Sequence, residues 1–577
     1  KLLIGISNKR LTVAPSVLKH SFKMDTMKLP TVSLFLAFVN FSYQDEQPPI
    51  VNTSLGKIRG YYKESRHGRK YEAYEGVPYA QPPVKKFRFQ PPQPVKPWEG
   101  ELPAIKKSSV CTQYVMVFKS QDDKVEGCED CLYINIYASI RNASRVLLPV
   151  MFWIHGGAFQ FASGNEADET LLMERDIVFV AVNYRLGPFG FLSTGDSVVP
   201  GNMGLKDQNQ ALRWVHDHIS NFGGDPQKIT IFGMSAGGAS VHYHYLSHLS
   251  AGLFQNGISI SGVALSPWPQ TKHAPEKARR LATLVGCSSN KVKKMINCLQ
   301  SRPARIISQA VGDFMYWLYN PFTPFGPVVD KHGSNPFITR SPIDIIVSGE
   351  AYDVPWISGV VSEEGLYPSA AFVGNNQLLK QLNDNWDNIA PYLLNYNDTL
   401  PLNQHKEVAD KIRKYYLGSK PIVSNTSLSV THMIGDRLFG VDFQKAVNLH
   451  AKINKSPVWT YYYSYRSMHS LSETVSGGVS HGDDVFLVLD TRISNVSRPN
   501  DLEMQQILLD FYTSFAIEGK PRVGDAQWQT LDPNEKEFQY IHIANPRNVK
   551  METSSDFANG KFWNSIDFNE NKISRQE

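Results

Sequence analysis

Short apolar runs alternate with stretches of helical periodicity along this chain, and that alternation constrains the fold more than any other feature. The runs at 147–154, 177–183, 229–232, 258–260, 354–360 and 458–463 are rich in β-branched and aromatic residues. Continuous runs of this kind fit strands covered on both faces, not strands with one face in water. Helical patterns lie between and after them, at 209–218, 238–246, 274–284 and 502–517. Strand–helix alternation predicts an α/β fold with a central, mostly parallel β-sheet flanked by helices. Length alone would allow about four domains. No Gly/Ser linker or composition break divides the body, so one large domain over residues 44–577 is expected, with long excursions from the sheet.

Apolar residues make up 42% and charged residues 20% of the chain, a core-forming mixture that excludes disorder and fibrous structure. The net charge of +5 is concentrated at the amino end. Lys1, Lys9, Arg10, Lys19, Lys23 and Lys28 stand there against Asp25. The chain holds 59 basic and 54 acidic residues, so setting those seven aside leaves 53 of each sign. A neutral body points to no nucleic-acid partner.

The same amino end reads as a targeting segment. Met24 and Met27 are candidate starts, and Lys28 precedes an apolar run at 29–41 broken only by Pro30, Thr31, Ser33 and Asn40. A short positive region followed by such a run is the pattern of a secretory signal. The run is shorter than the ~20 residues a membrane span needs. The last residues, 567–577, are polar, so neither a membrane span nor a lipid-anchor signal is expected. Residues 1–43 are therefore read as an upstream segment, 1–26, with a signal peptide, and the protein as secreted. Five Asn-x-Ser/Thr patterns are candidate glycosylation sites: Asn52, Asn142, Asn397, Asn425 and Asn495. The five cysteines are Cys111, Cys128, Cys131, Cys287 and Cys298, an odd count that leaves at least one unpaired within the chain. Cys128 and Cys131 have the spacing of a redox or metal pair, but no second such pair completes a zinc site.

Chemistry is expected where strands end. Gly233-Met234-Ser235-Ala236-Gly237 matches G-x-S-x-G. The run before it reads as a strand and the residues from Gly238 read as a helix, which is the nucleophile elbow. Its glycines are required because the turn is strained and its neighbours pack without side chains. His155-Gly156-Gly157-Ala158-Phe159 follows another strand and has the composition of an oxyanion loop. Small residues there let backbone N–H groups approach an oxyanion, each worth ~2.7–4 kcal/mol.

With these motifs the chain resembles the type-B carboxylesterase/cholinesterase family of α/β-hydrolases, and within it the secreted insect carboxylesterases. The resemblance spans residues 48–563. Its landmarks are Tyr74-Glu-Gly-Val-Pro-Tyr-Ala80, Glu129-Asp-Cys-Leu-Tyr-Ile-Asn135, Asn183-Tyr-Arg-Leu-Gly187, Gly201-Asn-Met-Gly-Leu-Lys-Asp-Gln208 and Asn221-Phe-Gly-Gly-Asp-Pro226. The segment around Asn385-Trp386 resembles the insect branch. The resemblance implies an α/β-hydrolase fold whose long insertions form an active-site gorge. It implies Ser235 as nucleophile, Glu364 in Ser362-Glu363-Glu364-Gly365 as the acid, and His481 in Gly478-Val-Ser-His481-Gly-Asp-Asp484 as the base. Chain order Ser, acid, His is the order of this fold. By the same resemblance Gly157, Ala158 and Ala236 donate the oxyanion N–H groups, and Ser261 supports the acid and base. Trp268 lines the acyl pocket, and Arg88–Glu129 and Arg185–Asp207 are structural ion pairs. Disulfides Cys111–Cys131 and Cys287–Cys298 are implied, with Cys128 free.

The implied function is hydrolysis of apolar carboxylic esters through an acyl-enzyme, with no metal or cofactor and a small-molecule ester as the partner; xenobiotic or insecticide detoxification is one use of such an enzyme. Three other readings compete. A juvenile hormone esterase usually shows Gln before the nucleophile, where Met234 stands here. A slow esterase that sequesters organophosphates would have the same sequence. A non-catalytic adhesion member would lack a triad residue, and all three are present. Acetylcholine is not the expected substrate. Cholinesterases place a tryptophan inside the first disulfide loop, and the aromatics between Cys111 and Cys131, away from the loop ends, are Tyr114 and Phe118.

Overall fold

The computed structural model describes residues 47–117, 124–140, 146–470, 472, 477–489 and 496–574. The leader, Phe118, Asn142 and Asn495 lie outside them. Eleven strands of the described residues form the principal sheet. They are β1 (Tyr61–Glu64), β2 (Lys70–Pro78), β3 (Tyr133–Ser139), β4 (Leu148–Ile154), β5 (Val178–Val182), β6 (Gly224–Met234), β7 (Asn256–Ile260), β8 (Trp356–Val361), β9 (Val458–Tyr463), β10 (Phe538–Asn545) and β11 (Asn548–Ser554). Across the sheet they run β11-β10-β9-β8-β7-β6-β4-β5-β3-β2-β1. From β5 to β10 every neighbouring pair is parallel. Antiparallel strands close both edges.

The apolar runs become strands because they are covered on both faces. In β4, Val150, Phe152 and Ile154 belong to one hydrophobic cluster. Met151 and Trp153, pointing the other way, belong to a second. Alternation in a pleated strand sends successive side chains to opposite faces. The helices Met203–His218 and Pro499–Glu518 begin earlier than their periodicity indicates, the second with proline in its first turn. The edge strands β1, β2, β10 and β11 were not evident as apolar runs because polar residues alternate through them. In β3 the buried Asn135 interrupts the run; its side chain accepts from Gly76 N–H at 2.9 Å and donates to Asn165.

Register places the functional loops. Gly233 pairs with Ile154 and Met234 with Ile260, so β6 ends beside β4 and β7. Ile260 in turn pairs with Gly359 of β8. Ligand crevices in open α/β sheets form at these carboxyl ends. The long connections β7–β8 and β8–β9 carry helices such as Ala274–Leu284, His405–Leu417 and Val441–Ile453.

Covalent and ionic ties brace these excursions. Cys111–Cys131 and Cys287–Cys298 are disulfides, and Cys128 is free and exposed. Arg88 holds both oxygens of Glu129 and also donates to the carbonyls of Leu299 and Arg302. It thereby joins the first disulfide loop to the helix Val292–Ser301 that carries Cys298. Arg185 pairs with Asp207 through two bonds of 2.7 Å, both side chains buried. Burial pushes the Asp207 carboxyl up, against the pull of Arg185. Asn52 and Asn425 are exposed and Asn397 is half-buried. No helix among the described residues is long and apolar enough to cross a membrane.

Candidate active site

Strand β6 ends at Met234 and the helix Ala236–Tyr245 starts two residues later, so Ser235 makes the turn alone. Its backbone sits at φ 59°, ψ −121°, a costly conformation for a residue with a side chain. The Ser235 N–H donates to Ile260 O at 2.8 Å and ties the turn to β7. A Cβ on Gly237 would lie 2.0 Å from Ile154 O, and one on Gly233 would lie 2.6 Å from the same atom. Strand and helix therefore pass β4 at backbone contact, which only glycine allows.

The loop after β4 is strained in the same way, with Ala158 and Phe159 at φ 54° and 59°. Gln160 and Phe161 donate their N–H groups to Gly157 O and fold the loop back on itself. The N–H groups of Gly157, Ala158 and Ala236 donate to no other described group. Ala236 opens its helix, so its N–H has no intrahelical acceptor and lies at the positive end of the helix dipole. Burial holds the imidazole of His155 down to about 4, so it is neutral beside the loop.

Glu364 lies three residues beyond β8. Its Oε1 accepts from Val361 N–H at 2.9 Å, and its Oε2 stands 2.5 Å from His481 Nδ1. Both side chains are buried. The other ring nitrogen, His481 Nε2, is buried without a partner among the described residues. Phe439 and Tyr367 flank the imidazole, with ring centres at 4.7 and 5.4 Å. Ser235 and His481 line the same cavity, of about 330 Å³. Its wall includes Gly157 and Ala158, the apolar Val115, Trp153, Phe161, Met234, Phe486 and Leu489, and the carboxylates Glu126 and Glu166.

Glu363 points away from His481. Its carboxylate accepts from Ser362 Oγ and from Val479 N–H, and its backbone N–H donates to Val479 O. Burial opposes its ionisation, but hydrogen bonds from His432, Ser362 and Val479 outweigh that and hold its pKa low. It fastens the loop that carries His481. Sequence reasoning gave Glu363 no role, since its partner is not evident in the sequence. Asp484, three residues past His481, is buried with Tyr461 OH on Oδ2 at 2.7 Å. Burial foremost, with the nearby Glu364 charge, pushes it up to about 7.

Two expected residues do not make the contacts expected of them. Ser261 is buried at φ 52° and donates its N–H to Gly359 O, but its hydroxyl has no partner among the described residues. It makes no hydrogen bond to Glu364 or His481. Trp268 does not line the cavity. It is 2% exposed, donates Nε1–H to Leu438 O at 2.9 Å, and packs among Phe159, Phe322 and Phe439. Tyr114 also lies outside the cavity wall.

An α/β sheet with a strained serine elbow, a small-residue loop and a carboxylate–histidine pair at its carboxyl ends defines a hydrolase scaffold. The chain belongs to the carboxylesterase family, whose model matches residues 47–563. It is 76% identical to a carboxylic ester hydrolase of Bombus ignitus, over 96% of this chain and 100% of that one. It is 66% identical to venom carboxylesterase-6 of Apis mellifera, over 95% of this chain and 100% of that one. The crystal structure of juvenile hormone esterase from Manduca sexta, with OTFP covalently attached, shares the fold. Its TM-score is 0.78 at 24% identity, covering 90% of this chain and 99% of that one. The protein is a carboxylic-ester hydrolase.

Proposed function

We propose that Ser235, Glu364 and His481 are the catalytic triad, acting on uncharged, largely apolar carboxylic esters through an acyl-enzyme. The observation that carries this is the buried Glu364–His481 pair: His481 lines the same cavity as Ser235, and its Nε2 has no partner among the described residues. A serine hydroxyl is a weak nucleophile at its own pKa. His481 takes its proton as Ser235 attacks the ester carbonyl, and Glu364 holds the imidazole and stabilises the imidazolium. The N–H groups of Gly157, Ala158 and Ala236 receive the oxyanion, having no other partner to give up. His481 protonates the leaving alcohol, and water repeats the sequence on the acyl group.

The predominance of apolar residues in the wall supports the choice of substrate. Tyr114, the one aromatic residue between Cys111 and Cys131 among the described residues, does not stand in that wall, so its ring is not offered there to a quaternary ammonium group. The enzyme is expected to hydrolyse naphthyl acetate well and acetylthiocholine poorly. Equal kcat/KM for the two would overturn the substrate assignment. Export is supported by the leader pattern, the two disulfides and the venom carboxylesterase relative.

Trp268 acts on the acyl limit indirectly in this reading, by packing against Phe159, which follows Ala158 of the oxyanion loop, and against Phe439, which flanks His481. Trp268→Leu is expected to raise kcat/KM for longer acyl esters relative to acetates. It should also lower stability by roughly 2 kcal/mol or more, through lost packing and the lost hydrogen bond to the Leu438 carbonyl. An acyl-length series read beside a thermal melt checks both; lost stability with an unchanged acyl preference would make Trp268 purely a packing residue.

A further inference from the structure

The loop after β4 keeps its shape by fastening its carbonyls. Every carbonyl from His155 to Phe159 accepts a hydrogen bond. Tyr184 OH donates to His155 O at 2.9 Å, and His155 Nδ1 stands 2.9 Å from Gly156 O. A carbonyl only accepts, so that ring nitrogen carries the hydrogen. Gly157 O takes the N–H groups of Gln160 and Phe161, and Phe159 O takes the N–H of Gly187. Ala158 O is held by a side chain: Gln160 Nε2 lies 3.1 Å from it and 2.5 Å from Phe325 O. Two carbonyls at one end of the amide place its nitrogen there, with one hydrogen for each. A trans peptide sets its C=O and the next N–H on opposite sides, and the cis bonds among the described residues lie elsewhere, before Pro321 and Pro368. Each fastened carbonyl therefore turns the next N–H away from its own anchor. The N–H groups of Gly157 and Ala158 are left to the cavity that both residues line.

We propose that Gln160 is a positioning residue for the oxyanion donors: its amide locks the Ala158–Phe159 peptide and ties the loop to the β7–β8 connection. This rests on the assignment of Gly157 and Ala158 as donors above. The need for a lock follows from the backbone. Ala158 and Phe159 both sit at positive φ, 54° and 59°, which is costly for residues with side chains. Turning the Ala158–Phe159 peptide over changes φ of Phe159 by about 180° and carries it into the relaxed extended region. The same turn exchanges Ala158 O with Phe159 N–H and alters ψ of Ala158, the residue that carries a donor. The Gln160 amide is the bond that opposes it. Ala158 O has no other donor among the described residues, and Phe159 N–H has no acceptor there. Gln160 is itself 1% exposed, and its Oε1 is left without a partner among the described residues, so both amide hydrogens are in use and the oxygen is not.

The test is affinity for a ligand that carries an oxyanion. A trifluoromethyl ketone adds to a catalytic serine: the Oγ–carbon bond forms, the carbonyl π pair moves to oxygen, and the serine proton passes to the histidine. The matching secondary alcohol has the same carbon frame and cannot add. Gln160→Met keeps the length of the side chain and removes both donors. Its kcat on naphthyl acetate is expected to fall about 10- to 100-fold with KM within about 3-fold, because deleting an oxyanion donor outright costs about 10²- to 10³-fold. Ki for the ketone should rise by the factor that kcat/KM loses, and Ki for the alcohol should hold. Gln160→Glu adds a pH signature. Its carboxyl donates one hydrogen when protonated and none when ionised, so its kcat relative to wild type is expected to rise as pH falls. Equal losses for ketone and alcohol, or an unchanged kcat in the variants, would overturn the proposal. If neither variant folds, Gln160 serves the fold alone and the proposal fails. Wild-type enzyme that binds the ketone no more tightly than the alcohol refutes the oxyanion assignment itself. Tight wild-type binding with unchanged variants refutes the role of Gln160 and leaves that assignment standing.

Discussion

Ser235→Ala is expected to lower kcat on a naphthyl ester by on the order of 10⁴- to 10⁶-fold while leaving the melting temperature nearly unchanged. The size of the effect follows from the chemistry: without Oγ there is no acyl-enzyme, and only binding and the oxyanion donors remain. The indifference of the fold follows from the geometry. The elbow is held by Ser235 N–H on Ile260 O and by glycines packed against Ile154, none of which involves the hydroxyl. Alanine keeps the Cβ and meets the same backbone strain at φ 59°. A phosphonate probe should label the wild-type peptide containing Gly233 to Gly237 and leave the variant unlabelled. Label on another peptide, or full activity in the variant, would move the nucleophile elsewhere.

The centre of the molecule was legible in the sequence and its margins were not, for a physical reason. Strands such as β4 and β5 are covered on both faces, and a strand covered in this way reads as a near-continuous apolar run. The edge strands meet water on one side and tolerate Lys, Glu and Gln, which erases the run. The elbow was legible because tight backbone contact admits only glycine, and glycine spacing is written in the chain. Glu364 and His481 are 117 residues apart, and nothing local says that their loops meet. A resemblance to a family marked them, and β8 and β9 pairing brings them together. Tyr367 belongs to no motif read in the sequence, and its place against His481 follows only from how the chain after β8 folds. Ser261 and Trp268 were expected at the site from motif position. The Trp268 side chain is turned to Leu438 and a cluster of phenylalanines, and the Ser261 hydroxyl is left without a partner among the described residues, which position alone does not encode.

The adjacent carboxylates Glu363 and Glu364 allow the acid to be tested against its own neighbour. Glu364→Gln is expected to lower kcat/KM by about 10⁴-fold, the loss that follows when the carboxylate behind a catalytic histidine becomes an amide. Both oxygens of Glu364 accept, one from Val361 N–H and one from His481 Nδ1. A glutamine has one accepting oxygen and one donating nitrogen. With its nitrogen toward His481, it forces the proton onto Nε2, which then cannot take the proton of Ser235. With its nitrogen toward Val361, two donors meet in a buried site, and the imidazolium loses its counter-charge either way. Glu363→Gln meets a different set of partners. Its carboxylate fastens the loop through Val479 N–H and Ser362, so an amide there weakens the anchor by roughly 1–3 kcal/mol. That variant should show a lower melting temperature and keep most of its kcat/KM, because His481 retains Glu364. The two variants thus separate orientation of the base from anchorage of its loop, by activity in one case and by thermal stability in the other. If Glu363→Gln proved the more damaging to turnover, the acid would move by one residue, and the 2.5 Å contact between Glu364 and His481 would be structural.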